Sequence, residues 1–143
     1  MERLLFITIL ATGLIGLPLC ADNVVAIADV PFSFYVGEKL MPPGQYKIGE
    51  TFSSGNRVVI TSSSTNESLA VQTNRCENTL PSNGTYLIFN KYPGDRYFLS
   101  QYHQPGTRTG AVLPKSRRER ETVTSKLTAG VRATQVIILA SIR

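Results

Sequence analysis

Apolar residues in this chain recur mainly at every second position, in short runs split by Gly, Pro, Ser and Asn, which is the rhythm of half-buried strands. Val30, Phe32, Phe34 and Val36 alternate with Ser33 and Tyr35 and predict one strand with a buried face. Pro31 brings no amide to a ladder, so that strand is expected at an edge or a bulge. Gly37-Glu38-Lys39 breaks the run, and Pro43-Gly44 predicts the centre of a type II turn ahead of a strand starting at Tyr46 and Ile48. Residues 57–61 and 69–73 are two further strands, joined by a polar turn over residues 62–67.

The clearest hairpin lies over residues 85–103, where Tyr86-Leu87-Ile88-Phe89 and Tyr97-Phe98-Leu99 flank Pro93-Gly94-Asp95. A three-residue connection sets Phe89 opposite Leu99 and is preferred to the four-residue alternative, which sets it opposite Ser100. Residues 111–113 form a brief extended piece. Ser116 and Glu119 then have capping-box spacing, which predicts a short helix ending before Gly130. Residues 134–142 are mostly apolar and β-branched, too short to span a bilayer, and predict a last, centrally buried strand. The pattern gives an all-β domain: a small antiparallel β-barrel or β-sandwich of about seven or eight strands, with one short helix before the last strand.

Ahead of this domain, Arg3 precedes an apolar run over residues 4–19, and small residues follow, the order of a secretory signal peptide. The run is shorter than the ~20 residues of a spanning helix, and Gly13, Gly16 and Pro18 weaken it as one. Cleavage is expected after Ala21, leaving residues 22–143 as a single β-rich domain; cuts after Ala26 or Ala28 would remove a plausible strand. Leu17-Pro18-Leu19-Cys20 has the leucine and cysteine of a lipobox, but Leu19 stands where a small residue is preferred, so lipid anchoring through Cys20 is the lesser alternative. The expected location is periplasmic or extracellular.

About 122 residues remain after cleavage, enough for one core and too few for two. Six Phe, six Tyr and no Trp, with 11 Gly and 8 Pro, suit a strand-rich chain. Cys76 would then be the only cysteine, so no internal disulfide forms and packing must supply the stability. The formal charge is +5, and it is concentrated late: from residue 105 onward eight Lys/Arg face Glu119 and Glu121, a balance of +6. Such asymmetry favours an anionic polymer, an envelope lipid surface or an acidic protein as partner, while export argues against a specific nucleic acid.

The candidate chemistry is sparse. Cys76 and His103 would need to converge in space to act as nucleophile and base, and no local signature surrounds the cysteine. One His and one mature Cys do not make a structural zinc site, and the scattered acids do not make a calcium loop. The isolated glycines form no phosphate loop or dinucleotide fingerprint, and no cofactor is expected. A pair of carboxylates meeting across a sheet is the remaining hydrolase route. Lys115, Arg117, Arg118 and Arg120 form a candidate patch for an anionic partner, to be weighed against a solvated helix in which Arg117 pairs with Glu121 four residues on. Tyr86, Tyr92, Tyr97 and Tyr102 are a candidate aromatic face, to be weighed against plain core packing.

Four segments together carry a resemblance: residues 30–37 (Val-Pro-Phe-Ser-Phe-Tyr-Val-Gly), 40–46 (Leu-Met-Pro-Pro-Gly-Gln-Tyr), 97–100 (Tyr-Phe-Leu-Ser) and 113–121 (Leu-Pro-Lys-Ser-Arg-Arg-Glu-Arg-Glu). In this order the chain resembles a group of secreted bacterial β-rich proteins of uncharacterised activity. Met41 and Pro43 depart from the Leu-Pro-Ala-Gly-x-Tyr form usual there. The resemblance implies a small exported β domain and carries no ligand or catalytic residue. The sequence therefore leads to an exported, non-enzymatic binding or envelope-associated module, with a small-ligand carrier of apolar barrel interior, or a hydrolase, as the alternatives.

Overall fold

A computed structural model describes residues 25–51, 56–77, 79–81, 83–127, 130 and 132–142. The export signal expected over residues 1–21, and Cys20 with it, lie outside the described residues. Strand β1 (Ala26–Val30) ends at the residue before Pro31, and β2 (Phe34–Val36) starts after a three-residue break. The single strand expected across residues 30–36 is thus two, because the proline cannot donate to the ladder. Gly37 and Glu38 form a two-residue turn into β3 (Lys39–Met41), with Gly37 at φ +61°, the position where a type II′ hairpin wants glycine. The type II turn expected at Pro43-Gly44 does not form. Gly44 is instead the first residue of β4 (Gly44–Thr51), paired with Val30 of β1.

β5 (Arg57–Ser62) and β6 (Ser68–Gln72) make the expected hairpin. After Thr73 the chain continues as β7 (Asn74–Glu77); the Thr73 amide donates to the Asn56 carbonyl at 2.9 Å, so β6 and β7 behave as one strand interrupted at a single residue. β8 (Thr85–Tyr92) and β9 (Arg96–His103) pair with Phe89 opposite Leu99, the register of the three-residue connection, and a bulge follows between Ile88 and Phe89. β10 (Thr109–Val112), helix α1 (Arg117–Leu127) and β11 (Thr134–Ile142) complete the chain.

The eleven strands form one curled sheet, a half-barrel, in the order β3-β2-β9-β8-β11-β1-β4-β5-β6. β7 pairs with β10 and β10 with β9, so the ladders return to β9 and the curl meets itself. The count exceeds the seven or eight expected because the sequence pattern does not show the breaks at Pro31 and Thr73 or the tight β2–β3 hairpin. The sheet is also not wholly antiparallel: β2 runs parallel to β9, with Phe34 abreast of Tyr97.

The concave face is filled by side chains. Phe34, Tyr46, Phe89, Tyr102, Ile48 and Ile60 are each at most 2 % exposed and belong to one cluster. Phe34 meets both Tyr46 and Phe89 edge-on, with ring centres 5.1 and 5.2 Å apart. Ile88, Tyr92 and Phe98 are buried outside that cluster, on the convex face of β8 and β9, where α1 lies across them. β11 sits centrally between β8 and β1, yet it is not buried on both faces: Ile137 and Leu139 stay 48 % and 66 % exposed. The expectation of a fully buried last strand fails because α1 covers only the β8–β9 part of the convex surface.

Candidate functional site

The alternation along β4 directs Tyr46 and Ile48 into the core and carries Glu50 to the rim of the half-barrel on the same face. On the next strand Arg57 opens β5 opposite Thr51. Further round, Arg75 lies on β7 opposite Ala111 of β10, and Gln104 follows the end of β9. These residues, with Asn56, Thr73, Asn74, Thr107, Thr109 and Gly110, line a concavity of about 290 Å³ at the mouth. The filled interior beneath and the polar residues at the surrounding strand ends make this a shallow cup with polar residues round its rim.

Burial holds the Glu50 carboxyl above its ordinary range, and the charge of Arg75 offsets part of that rise. Tyr102, the cross-strand partner of the lining residue Ala111, has its phenol pushed up to about 12, chiefly by burial; a hydrogen bond from Gln104 counteracts this and the Glu50 charge adds to it. The Gln104 amide donates to the Tyr102 hydroxyl at 3.4 Å, and the Thr73 hydroxyl donates to the Asn56 carbonyl at 3.2 Å. The cup therefore offers the Arg75 guanidinium, the Glu50 carboxyl and several amides and hydroxyls, while Arg57, whose neighbours Val58 and Ile60 face the core, borders it with its side chain on the outward parity of β5. Among the described residues Glu50 is its one carboxylate, and no His or Cys lines it. That set offers a cation, amides and hydroxyls that can hold a ligand.

The basic segment is on the surface, and its three arginine side chains all have partners. The Arg117 side chain donates to Glu121 at 2.9 Å, and Arg120 donates to the Lys115 carbonyl at 3.1 Å. Arg118 lies over the Tyr35 ring, 5.2 Å from its centre, and 4.0 Å from Glu38. Glu38 also accepts from the backbone amide of Arg117 at 2.6 Å, so the β2–β3 turn caps the helix from outside. Ser116 caps it as its spacing predicts, accepting from the Glu119 amide at 3.1 Å. Glu119 does not reach back to close the capping box. It turns inward, 4 % exposed, and accepts from the Tyr92 hydroxyl and the Asn90 amide, each at 2.9 Å.

The four tyrosines do not share a face. Tyr102 is wholly buried in the core, and Tyr97 stacks on Phe32 with ring centres 3.9 Å apart on the concave side. Tyr92 is buried beneath α1, and its phenol is raised first by burial and then by the Glu119 hydrogen bond and charge. Tyr86 is half-buried over Gly84 on the convex side. Cys76 and His103 lie on β7 and β9, either side of β10 and outside the cup. Sequence reading missed Glu50, Arg57 and Arg75. The signal for Glu50 and Arg75, polar residues at the ends of runs whose parity points inward, and for Arg57 at the start of its strand, becomes visible only once it is known which strand ends meet. Among the described residues no three of His, Cys, Asp or Glu gather, and no helix is long and apolar enough to cross a membrane. Searches of family models, curated proteins and solved structures found no match to this chain.

Proposed function

We propose that this chain is an exported, non-enzymatic binding module of the cell envelope, and that the mouth of its half-barrel holds a small polyhydroxylated ligand bearing an acidic group. The observation that carries the reading is the cup itself, in which the charge of Arg75 acts on a half-buried Glu50 above a core filled by Tyr46 and Tyr102. Guanidinium groups recognise a carboxylate through their planar donor fork, while amides, hydroxyls and Glu50 suit sugar hydroxyls. A volume near 290 Å³ matches one or two sugar rings better than a lipid chain. The hydrophobic leader and the small-residue site after it support export.

The test is a backbone-amide NMR titration with galacturonic acid, and with galactose as the neutral control. Galacturonic acid is expected to move the amide signals of Thr73, Arg75 and Gly110, galactose to move them less, and Arg75→Gln to abolish the difference. No movement at these positions, or movement confined to residues 115–121, would overturn the reading and in the second case shift the binding surface to the basic helix.

A further inference from the structure

We propose that Cys76 and His103 together form a binding site for a soft monovalent metal cation of the Cu(I) or Ag(I) kind. The two residues come from β7 and β9, the neighbours of β10 on either side. Gly110 of β10 is paired with Cys76, and the register that sets Ala111 opposite Tyr102 brings Gly110 abreast of His103. All three thus stand in one cross-strand row on the convex face. Because the middle residue is glycine, nothing separates the outer two: a Cβ built on Gly110 would fall 2.1 Å from His103 Nδ1 and 2.3 Å from its Cε1. The imidazole lies over the glycine, leaning from β9 toward β7. From the other side, Cys76 stands directly opposite Gly110 in the β7–β10 register. The ring nitrogen thus rests on the glycine that faces Cys76 across the ladder.

The state of the ring points to a ligand. His103 is 1 % exposed, and its Nδ1 has no hydrogen-bond partner among the described residues. Its other nitrogen, Nε2, is 2.9 Å from the Gln101 side-chain oxygen. An amide oxygen only accepts, so Nε2 carries the proton and Nδ1 presents a bare lone pair. A histidine fixed in one tautomer by a partner on its far nitrogen is the usual arrangement for a metal ligand. A buried acceptor with nothing to accept is otherwise a cost to the fold.

The donor set selects the cation. Thiolate and imidazole are soft to intermediate ligands, which favour Cu(I) and its congeners over hard cations. Among the described residues no third His, Cys, Asp or Glu joins them, so a zinc ion wanting four ligands is not served, whereas a d10 monovalent cation is satisfied by two. Binding converts the Cys76 thiol to a thiolate, releases one proton to solvent, and forms one S–metal and one N–metal bond. Thiolate, neutral imidazole and a single positive charge sum to zero, which suits a poorly solvated site; a divalent cation would leave a net charge buried. Cys76 is itself partly exposed, which gives the cation a way in.

The experiment uses the full chain with Cys20→Ser, so that Cys76 is the sole thiol, reduced and in chloride-free buffer. Silver nitrate is titrated in while the side-chain nitrogen signals of His103, the chain's one histidine, are followed. Expected are saturation at one equivalent, release of one proton, and a shift confined mainly to Nδ1. Cys76→Ser is expected to abolish binding, and Gln101→Ala, which leaves both ligands in place, to weaken it about tenfold. Silver that binds the sulfur while Nδ1 stays unmoved would overturn the proposal, as would the absence of one-equivalent binding.

Discussion

Glu50 ends its inward-facing row with the carboxyl only partly solvated, and burial lifts its proton affinity more than Arg75 lowers it. A carboxyl whose folded pKa is raised keeps its proton at a pH where the unfolded chain has lost it, so the folded state binds more protons over that window. Stability therefore falls as pH rises from the ordinary value of 4.5 through the folded value, and the loss persists at neutral pH. Glu50→Gln removes the titration. Its urea midpoint is expected to exceed that of the parent at pH 7 and to converge with it below pH 4.5, as denaturation curves at the two pH values would show. The equality of the two midpoints at pH 7 would mean that the carboxyl is effectively solvated. Residues of this kind were poorly legible in sequence. Glu50 and Arg75 look like ordinary strand-end polar residues, and their juxtaposition depends on β4 and β7 being brought to one rim by strands between them. Gly110 is similar: its role is to let an imidazole and a sulfur approach across a strand, which no local pattern announces.

Elements whose logic is local read well, and those set by neighbours did not. The β8–β9 hairpin, down to Phe89 facing Leu99, follows from two β-rich runs and a Pro-Gly-Asp connection. The helix start followed from Ser116, which caps as its spacing says. Glu119 was the exception: with Tyr92 and Asn90 beneath it, its carboxylate has buried donors to satisfy, and these outcompete an exposed amide at the helix end. This ranks two substitutions. Ser116→Ala removes one cap, supplemented by Glu38 from the β2–β3 turn, and is expected to cost about 0.5–1 kcal/mol. Glu119→Ala leaves a buried hydroxyl and amide without their acceptor and is expected to cost about 1–3 kcal/mol, despite the better helix propensity of alanine. Urea unfolding of both variants checks the order, and a Glu119→Ala protein as stable as Ser116→Ala would show that α1 does not lean on β8.

At the scale of the molecule the strength of the ring is uneven. β8 is joined to β11 along residues 85–91 and to β9 along most of its length, and β4 to β5 over six residue pairs. By contrast β1 meets β11 only at Ala26↔Ile142 and Ile27↔Ser141, and β10 meets β9 at Ala111↔Tyr102 and Val112↔Gln101, with one further bond from the Leu113 amide to the Ser100 carbonyl at 2.8 Å. The curl is thus two well-laddered halves, β9-β8-β11 and β1-β4-β5-β6, the second continuing through β7 to β10, held to each other along two short seams. Opening a seam breaks few hydrogen bonds, while the free energy that resists it comes from side chains such as Tyr102 and Ala140 that the two halves bury jointly. Native-state hydrogen exchange is therefore expected to show the amides of residues 141–142 and 111–113 exchanging through openings of lower free energy than those of residues 86–90, which should exchange only on global unfolding. The β9–β10 seam borders the cup, and a ligand held there by Arg75 on one side and Gln104 on the other would bind across it. Saturating galacturonic acid should then slow exchange at residues 111–113 while leaving the β1–β11 seam unchanged, and equal slowing at both seams would point to general stabilisation of the fold instead of a bridge at the mouth.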